Sequence, residues 1–172
     1  MQRKVRHDAG SVAGLRASGT KHATPPTKQA SIVVVDPSPL SLLATAGVFH
    51  YEGYACTCAR TAEAAVSALA LGTQDLLIWD VADDATAALE AIQRIRQQTD
   101  YEQIPVVLLA DTRWAGLEKK TDQMAAASRC LFKPVDPHAL IAVADQLLWM
   151  PSLISAHRKR GSQPTRPGWV TL

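Results

Sequence analysis

No stretch of this 172-residue chain approaches the ~20 uninterrupted apolar residues that a membrane-crossing helix needs. The most apolar late segment, ALIAVADQLLWM, is interrupted by Asp145. No apolar signal region follows the basic N-terminus, so secretion is not expected and a cytoplasmic address is the default. Cysteine is scarce, and three thiols cannot all pair. Cys56 and Cys58 lie two apart with no second Cys/His group at zinc-site spacing, which reads as small core residues sharing one strand face. No glycine-rich phosphate loop follows a strand, since GLRASG lies in the leader with no strand before it. There is no Gly-x-Ser-x-Gly elbow, and His7, His22, His50, His138 and His157 are scattered. A conventional enzyme has no support in these patterns.

What the chain does have is a divided charge. The formal net charge is +2. Residues 1–30 hold Arg3, Lys4, Arg6, Arg16, Lys21 and Lys28 against Asp8, and residues 156–172 hold Arg158, Lys159, Arg160 and Arg166 with no acid. The body between them is therefore acidic. The expected organisation is a disordered basic leader over 1–30, one domain over 31–150 and a basic flexible tail over 151–172.

From residue 31 the pattern becomes regular. SIVVVD is a β-branched run of strand length, and Leu40, Leu43, Ala44, Gly47, Val48 and Tyr51 then recur at helical spacing. YACTCA is a short second strand, and Ala62, Ala65, Val66, Leu69 and Ala70 mark a second helix. DLLIWD is a strand buried on both faces, followed by a helix with Ala88, Leu89, Ile92 and Ile95. IPVVLLA is a fourth strand with Pro105 at its start. A weaker helix spans 113–127, RCLF is a fifth strand, and Asp136-Pro137 opens a last helix.

Five strands alternating with five helices predict an α/β fold with a parallel, doubly wound sheet. Right-handed crossovers bring every strand's C-terminal end to one edge, where such folds bind ligands. Asp36, Asp80 and Lys133 all fall there. Each has a bland alternative: an acid after a strand caps a helix or bonds turn amides, and a lysine before proline sits in a solvated loop. Together, at three strand ends, they point to a site.

Over residues 31–150 the sequence resembles a response-regulator receiver domain. IVVVDPSPLSLLATAGVFHYEGY resembles the family's first strand, first helix and following turn. DLLIWDV resembles the strand carrying the phosphoacceptor aspartate, here Asp80, and LFKPVDPHAL resembles the Lys-Pro loop and last helix. The resemblance implies the five-stranded flavodoxin-like (βα)5 fold with strand order 2-1-3-4-5. It implies a two-component phosphorelay in which Asp80 accepts a phosphoryl group from a sensor histidine kinase, as a carboxylate nucleophile. It further implies Mg²⁺ held by Asp36, Asp80 and the Ala82 carbonyl, with Lys133 binding a phosphoryl oxygen. A flavin binder of the same topology would need a Thr/Ser/Gly loop after the first strand, and none is there.

Four positions depart from the family pattern. The usual second acid after the first strand is Pro37, which offers no side-chain oxygen. The hydroxyl that ends the fourth strand is Ala110, which cannot hydrogen-bond a phosphoryl group. The next, normally small, residue is Asp111, whose charge opposes an incoming phosphate. The aromatic switch position, three before Lys133, is Cys130. The loop after Asp80 also adds Asp83 and Asp84. One of these or Asp111 is the candidate substitute metal ligand.

The expectation is a degenerate, pseudo-receiver pocket with weak or absent Mg²⁺ binding, acting mainly by protein–protein interaction. The alternative is a phosphorylation-competent stand-alone receiver. About twenty residues after the last helix are too few for a helix-turn-helix unit, so specific DNA binding is not expected. The fourth helix, fifth strand and last helix, with Trp114, Trp149 and Met150, form the candidate dimer face.

Overall fold

A computed structural model describes residues 30–124 and 126–161, without the side chains of residues 99 and 150–161. The expected leader, but for Ala30, and the tail from 162 onward lie outside the described residues. Ala30 is already buried.

Five strands form the sheet: β1 (Ser31–Val35), β2 (Ala55–Ala59), β3 (Leu76–Asp80), β4 (Val106–Ala110) and β5 (Ser128–Phe132). All pairings are parallel, as the pattern predicts, and the order is β2-β1-β3-β4-β5, as the resemblance implies. Strand alternation sorts their side chains into two layers. Val33, Val35, Leu77, Trp79, Val106 and Leu108 face one way, against α2 (Ala62–Leu69) and α3 (Ala85–Arg96). Ile32, Val34, Leu76, Ile78, Val107 and Leu109 face the other, against α1 (Pro39–Tyr51) and α5 (Pro137–Gly161). β3 and β4 are buried throughout, which is why both read as unbroken apolar runs.

Local chemistry sets the helix starts. Thr61 caps α2 by accepting from Ala64 N at 3.2 Å, and Asp84 caps α3 by accepting from Ala87 N at 2.9 Å. Asp136 accepts from His138 N at 3.1 Å as α5 begins at Pro137. Asp145, the acid within the apolar late segment, accepts from the Tyr54 hydroxyl, which explains its place on an inward helix face.

Four local expectations need correction. The helix expected over 113–127 is a 3-10 turn at Thr112–Trp114 followed by the short α4 (Leu117–Asp122). Gly116, at φ +99°, separates the two, a conformation that interrupts a right-handed helix. Cys58 is exposed rather than in the core, because β2 is an edge strand. The inward stripe of α1 is Leu42, Ala46 and Phe49, whereas Leu40, Leu43 and Tyr51 face outward. α1 is apolar nearly all round, so spacing alone cannot choose its buried side. The last helix also continues past Pro151 to Gly161, although a proline inside a helix forfeits a hydrogen bond.

Candidate functional site at the carboxyl edge of the sheet

Asp80 ends β3 and is buried, and Lys133 follows β5. Leu76, Ile78 and Asp80 share one side of the sheet, so alternation aims the carboxylate at the α1/α5 layer. Lys133 follows Leu131 by the same step and faces the same way. Lys133 Nζ lies 2.6 Å from Asp80 Oδ2. The other oxygen, Oδ1, accepts from Ala82 N at 2.8 Å. Register holds the pair in place: Lys133 N donates to the Ala110 carbonyl at 2.8 Å, and Val81 N donates to the Leu109 carbonyl at 2.9 Å. The Lys133–Pro134 peptide is cis.

Asp36, directly after β1, is also buried. Its Oδ1 accepts from Ser38 N at 2.7 Å, bonding the turn into α1. Its Oδ2 is buried with no hydrogen-bond partner. Arg60, after β2, donates to the Pro37 carbonyl at 3.1 Å and fastens the same turn from outside. Connectivity thus brings Asp36, Asp80 and Lys133 to one edge, as the sequence predicts. Ala110 closes β4 on the opposite side of the sheet, fully buried in the α2/α3 layer.

The loop between Asp80 and α3 is tied down by residues that motif reading passed over. Ala82 adopts φ +50°, a left-handed conformation uncommon outside glycine. Its carbonyl accepts from Arg113 Nη2 at 2.9 Å and from Trp114 Nε1 at 3.1 Å. Both donors come from the 3-10 turn after β4. Arg113 also pairs with Asp83 at 2.6 Å and with Asp111 at 3.5 Å, and its guanidinium lies 5.6 Å from the centre of the Trp114 ring. The available signal was the adjacency of Arg113 and Trp114 two residues past a strand-ending acid, a pairing that no motif singles out.

These bonds decide how well a divalent cation fits. Of the implied ligands, the Ala82 carbonyl is engaged by a guanidinium and an indole, and both Asp80 oxygens have partners. The candidate substitutes are engaged as well. Asp84 caps α3, while Asp83 and Asp111 gather on Arg113. Among these carboxylates the oxygens without a hydrogen bond are Asp36 Oδ2 and Asp80 Oδ2, the second of them held in the ion pair with Lys133, and Pro37 contributes no side-chain oxygen. Among the described residues, no group of three or more His, Cys, Asp or Glu side chains could hold a metal ion. As they stand these donors do not fit the octahedral oxygen coordination of Mg²⁺, because the Ala82 carbonyl is held by a guanidinium and an indole.

Cys130 sits in β5 opposite Leu108 and is half-buried. Burial, then the nearby Glu118 and Asp122 charges, pushes its thiol up to about 11. Trp114 is part-buried at the carboxyl edge, whereas Trp149 lines a cavity of about 350 Å³ at the opposite edge, beside Ala30 and Pro105. The two indoles therefore do not make one surface. That cavity is remote from Asp80. Two others, of about 330 and 300 Å³, flank the carboxylate, one towards Thr61 and one towards Thr45.

The fold and this edge define a receiver, and the comparisons agree. The model of the response regulator receiver domain matches residues 32–145, so the chain belongs to that family. Chemotaxis protein CheY4 of Vibrio cholerae superposes with a TM-score of 0.62 at 21% identity, over 69% of this chain and 98% of that one. A response regulator receiver domain protein from Clostridium thermocellum gives 0.64 at 16% identity, over 73% and 98%. NtrX from Brucella abortus gives 0.66 at 22% identity, over 82% of this chain but only 31% of NtrX. No curated protein matches the sequence. At these identities the solved structures establish the fold alone.

Proposed function

We propose that this receiver is a signalling module whose phosphoacceptor pocket, centred on Asp80 with Asp36 and Lys133, is degenerate. It works mainly through protein–protein contact, with a sensor histidine kinase or another signalling protein as partner. One observation carries this reading: the Ala82 carbonyl, implied as a metal ligand, already accepts from Arg113 and Trp114. Without a cation to neutralise both, a carboxylate and a phosphoryl donor repel each other. Ala110 removes the hydroxyl that would grip the transferred group, and Asp111 adds negative charge beside it. The basic segments at either end of the sequence fit a solubilising role in a cytoplasmic protein better than specific recognition of DNA.

The second reading, a receiver competent for phosphorylation, draws on the intact Asp80–Lys133 pair and the unengaged Asp36 Oδ2. On that reading an Asp80 oxygen attacks the phosphorus and the donor departs with the electrons of the bond it breaks, P–N in a phosphohistidine and P–O in acetyl phosphate. Intact-protein mass after incubation with acetyl phosphate and Mg²⁺, wild type beside Asp80→Asn, separates the two. We expect no phosphate-sized gain in either protein. A gain in wild type alone would establish the second reading.

A further inference from the structure

Helices α2 and α3 lie on one side of the sheet, and a groove runs between them. A cavity of about 330 Å³ occupies it from the carboxyl edge of the sheet to Arg94. A second, of about 140 Å³, continues it outward and shares Ala62, Ala91 and Arg94 with the first. The walls are low because their side chains are methyl groups, Ala62 from α2 and Ala87, Ala88 and Ala91 from α3. The floor is Trp79 of β3, only 6% exposed. A cavity of ~150 Å³ admits benzene, so this one has room for a flat molecule of one or two rings.

Two features of the lining select an occupant. The first is the Trp79 indole N–H, a donor that makes no hydrogen bond to any described residue. Its nitrogen is not sealed in either, and the space that Trp79 lines is this cavity. A buried indole N–H ordinarily finds a partner, and leaving it without one is costly. The second feature is charge. The acids of the lining are already engaged: Asp80 pairs with Lys133, Asp83 pairs with Arg113, and Asp84 caps α3. The arginines are not. Arg94 makes no hydrogen bond or ion pair among the described residues. Arg60 spends Nε and Nη2 on the Pro37 carbonyl and keeps Nη1 without a partner. Glu63, beside Arg94 in the outer cavity, is exposed and screened by solvent. The unspent charge of the groove is therefore positive.

We propose that the α2/α3 groove binds a small, flat aromatic carboxylate. Its rings lie between the alanines over Trp79, with a ring acceptor taking the indole N–H. Its carboxylate meets Arg94, which stands where the two cavities join. A neutral ring would leave the guanidinium unspent, and an aliphatic acid would forgo the aromatic contact with the indole. Pro37, Arg60 and Ala82 also line the groove, so a bound acid touches the loops that follow β1, β2 and β3. The Asp80 carboxylate and Lys133 face the other layer, and the proposal holds whether or not Asp80 accepts phosphate.

Nitrogen–proton correlation spectra of the full chain test it, with the Trp79 indole signal assigned through Trp79→Phe. The probe is quinoline-6-carboxylate, which carries a ring nitrogen at one end and the carboxylate at the other. It is expected to move the Trp79 indole signal saturably at millimolar concentrations or below. Quinoline, lacking the carboxylate, should bind at least about fivefold more weakly, and 2-naphthoate, lacking the ring nitrogen, about threefold more weakly. Arg94→Gln should bring the acid down to the affinity of quinoline and leave quinoline itself unaffected. Ala87→Phe, at an exposed wall position, should occupy the groove and abolish the shift while the rest of the spectrum stays in place. No saturable movement with any of the three probes overturns the proposal. So does a shift that survives Ala87→Phe, or quinoline binding as tightly as its acid. Neither Mg²⁺ nor a phosphoryl donor enters the titration, so its outcome is separate from that of the phosphorylation assay.

Discussion

Asp80 and Lys133 stand 2.6 Å apart, the carboxylate buried and the ammonium about one-third exposed. Removing the ammonium leaves a sheltered negative charge with one backbone N–H as its remaining partner. The open side of the lysine admits water, which reduces the penalty below that of a fully buried pair. Lys133→Met is therefore expected to destabilise the protein by about 1–3 kcal/mol in urea unfolding. Adding Asp80→Asn should recover part of the loss, because the orphaned charge is then gone. If Lys133→Met unfolds at the wild-type midpoint, the pair has no structural role. At this scale much was legible. Asp36, Asp80 and Lys133 could be placed by strand ends alone. Arg113 and Trp114 could not, because their partner is a backbone carbonyl whose direction depends on the left-handed turn at Ala82.

Among the elements, the 3-10 turn Thr112–Trp114 matters most to the site. It lies between β4 and α4, and its two donors span to the loop after β3. The two loops are joined at one carbonyl and by the Arg113–Asp83 pair. Arg113→Ala should release the turn and expose Trp114, seen as stronger iodide quenching of indole fluorescence. The stability cost should be about 1 kcal/mol, since the guanidinium is half exposed. Joined with Pro37→Asp, the same change removes one of the carbonyl's two donors and restores an acid. That double variant is expected to gain a Mg²⁺-dependent rise in melting temperature that wild type lacks. An equal rise in wild type would mean that Arg113 gives way to the ion. The helices also show what periodicity can and cannot reveal. α3, with charges on one side, declared its buried face through Ala88, Ile92 and Ile95. α1, with none, did not.

Over the whole molecule, the parallel sheet and its two layers followed from alternation and length, because β3 and β4 are buried throughout, while the strand order came from the family resemblance. The shortness of α4 did not follow, since a single left-handed glycine decides it. The layers also predict a response to alkali. Cys56 belongs to the α1/α5 side and Cys130 to the α2/α3 side. Burial raises both thiols from the ordinary 9.0 to about 11, with Cys58 adding to the effect at Cys56. Both are neutral in the two states below pH 9, where their contribution is intact. Between about 9 and about 11 the unfolded chain ionises first, so stability falls as pH rises through that window. Cys56→Ala/Cys130→Ala should flatten the fall in denaturant midpoint over that range. An unchanged slope would assign the alkaline loss to other groups.

The bond between Arg113 and the Ala82 carbonyl has a consequence for information. In a degenerate receiver, loops held by the chain's own side chains keep one setting, and a setting that does not change carries no message. On the reading proposed above, all that the phosphoacceptor pocket leaves to vary is the number of copies. The quantity a cell would then adjust is supply, through synthesis and turnover, and the output would be graded as a dose rather than thrown as a switch.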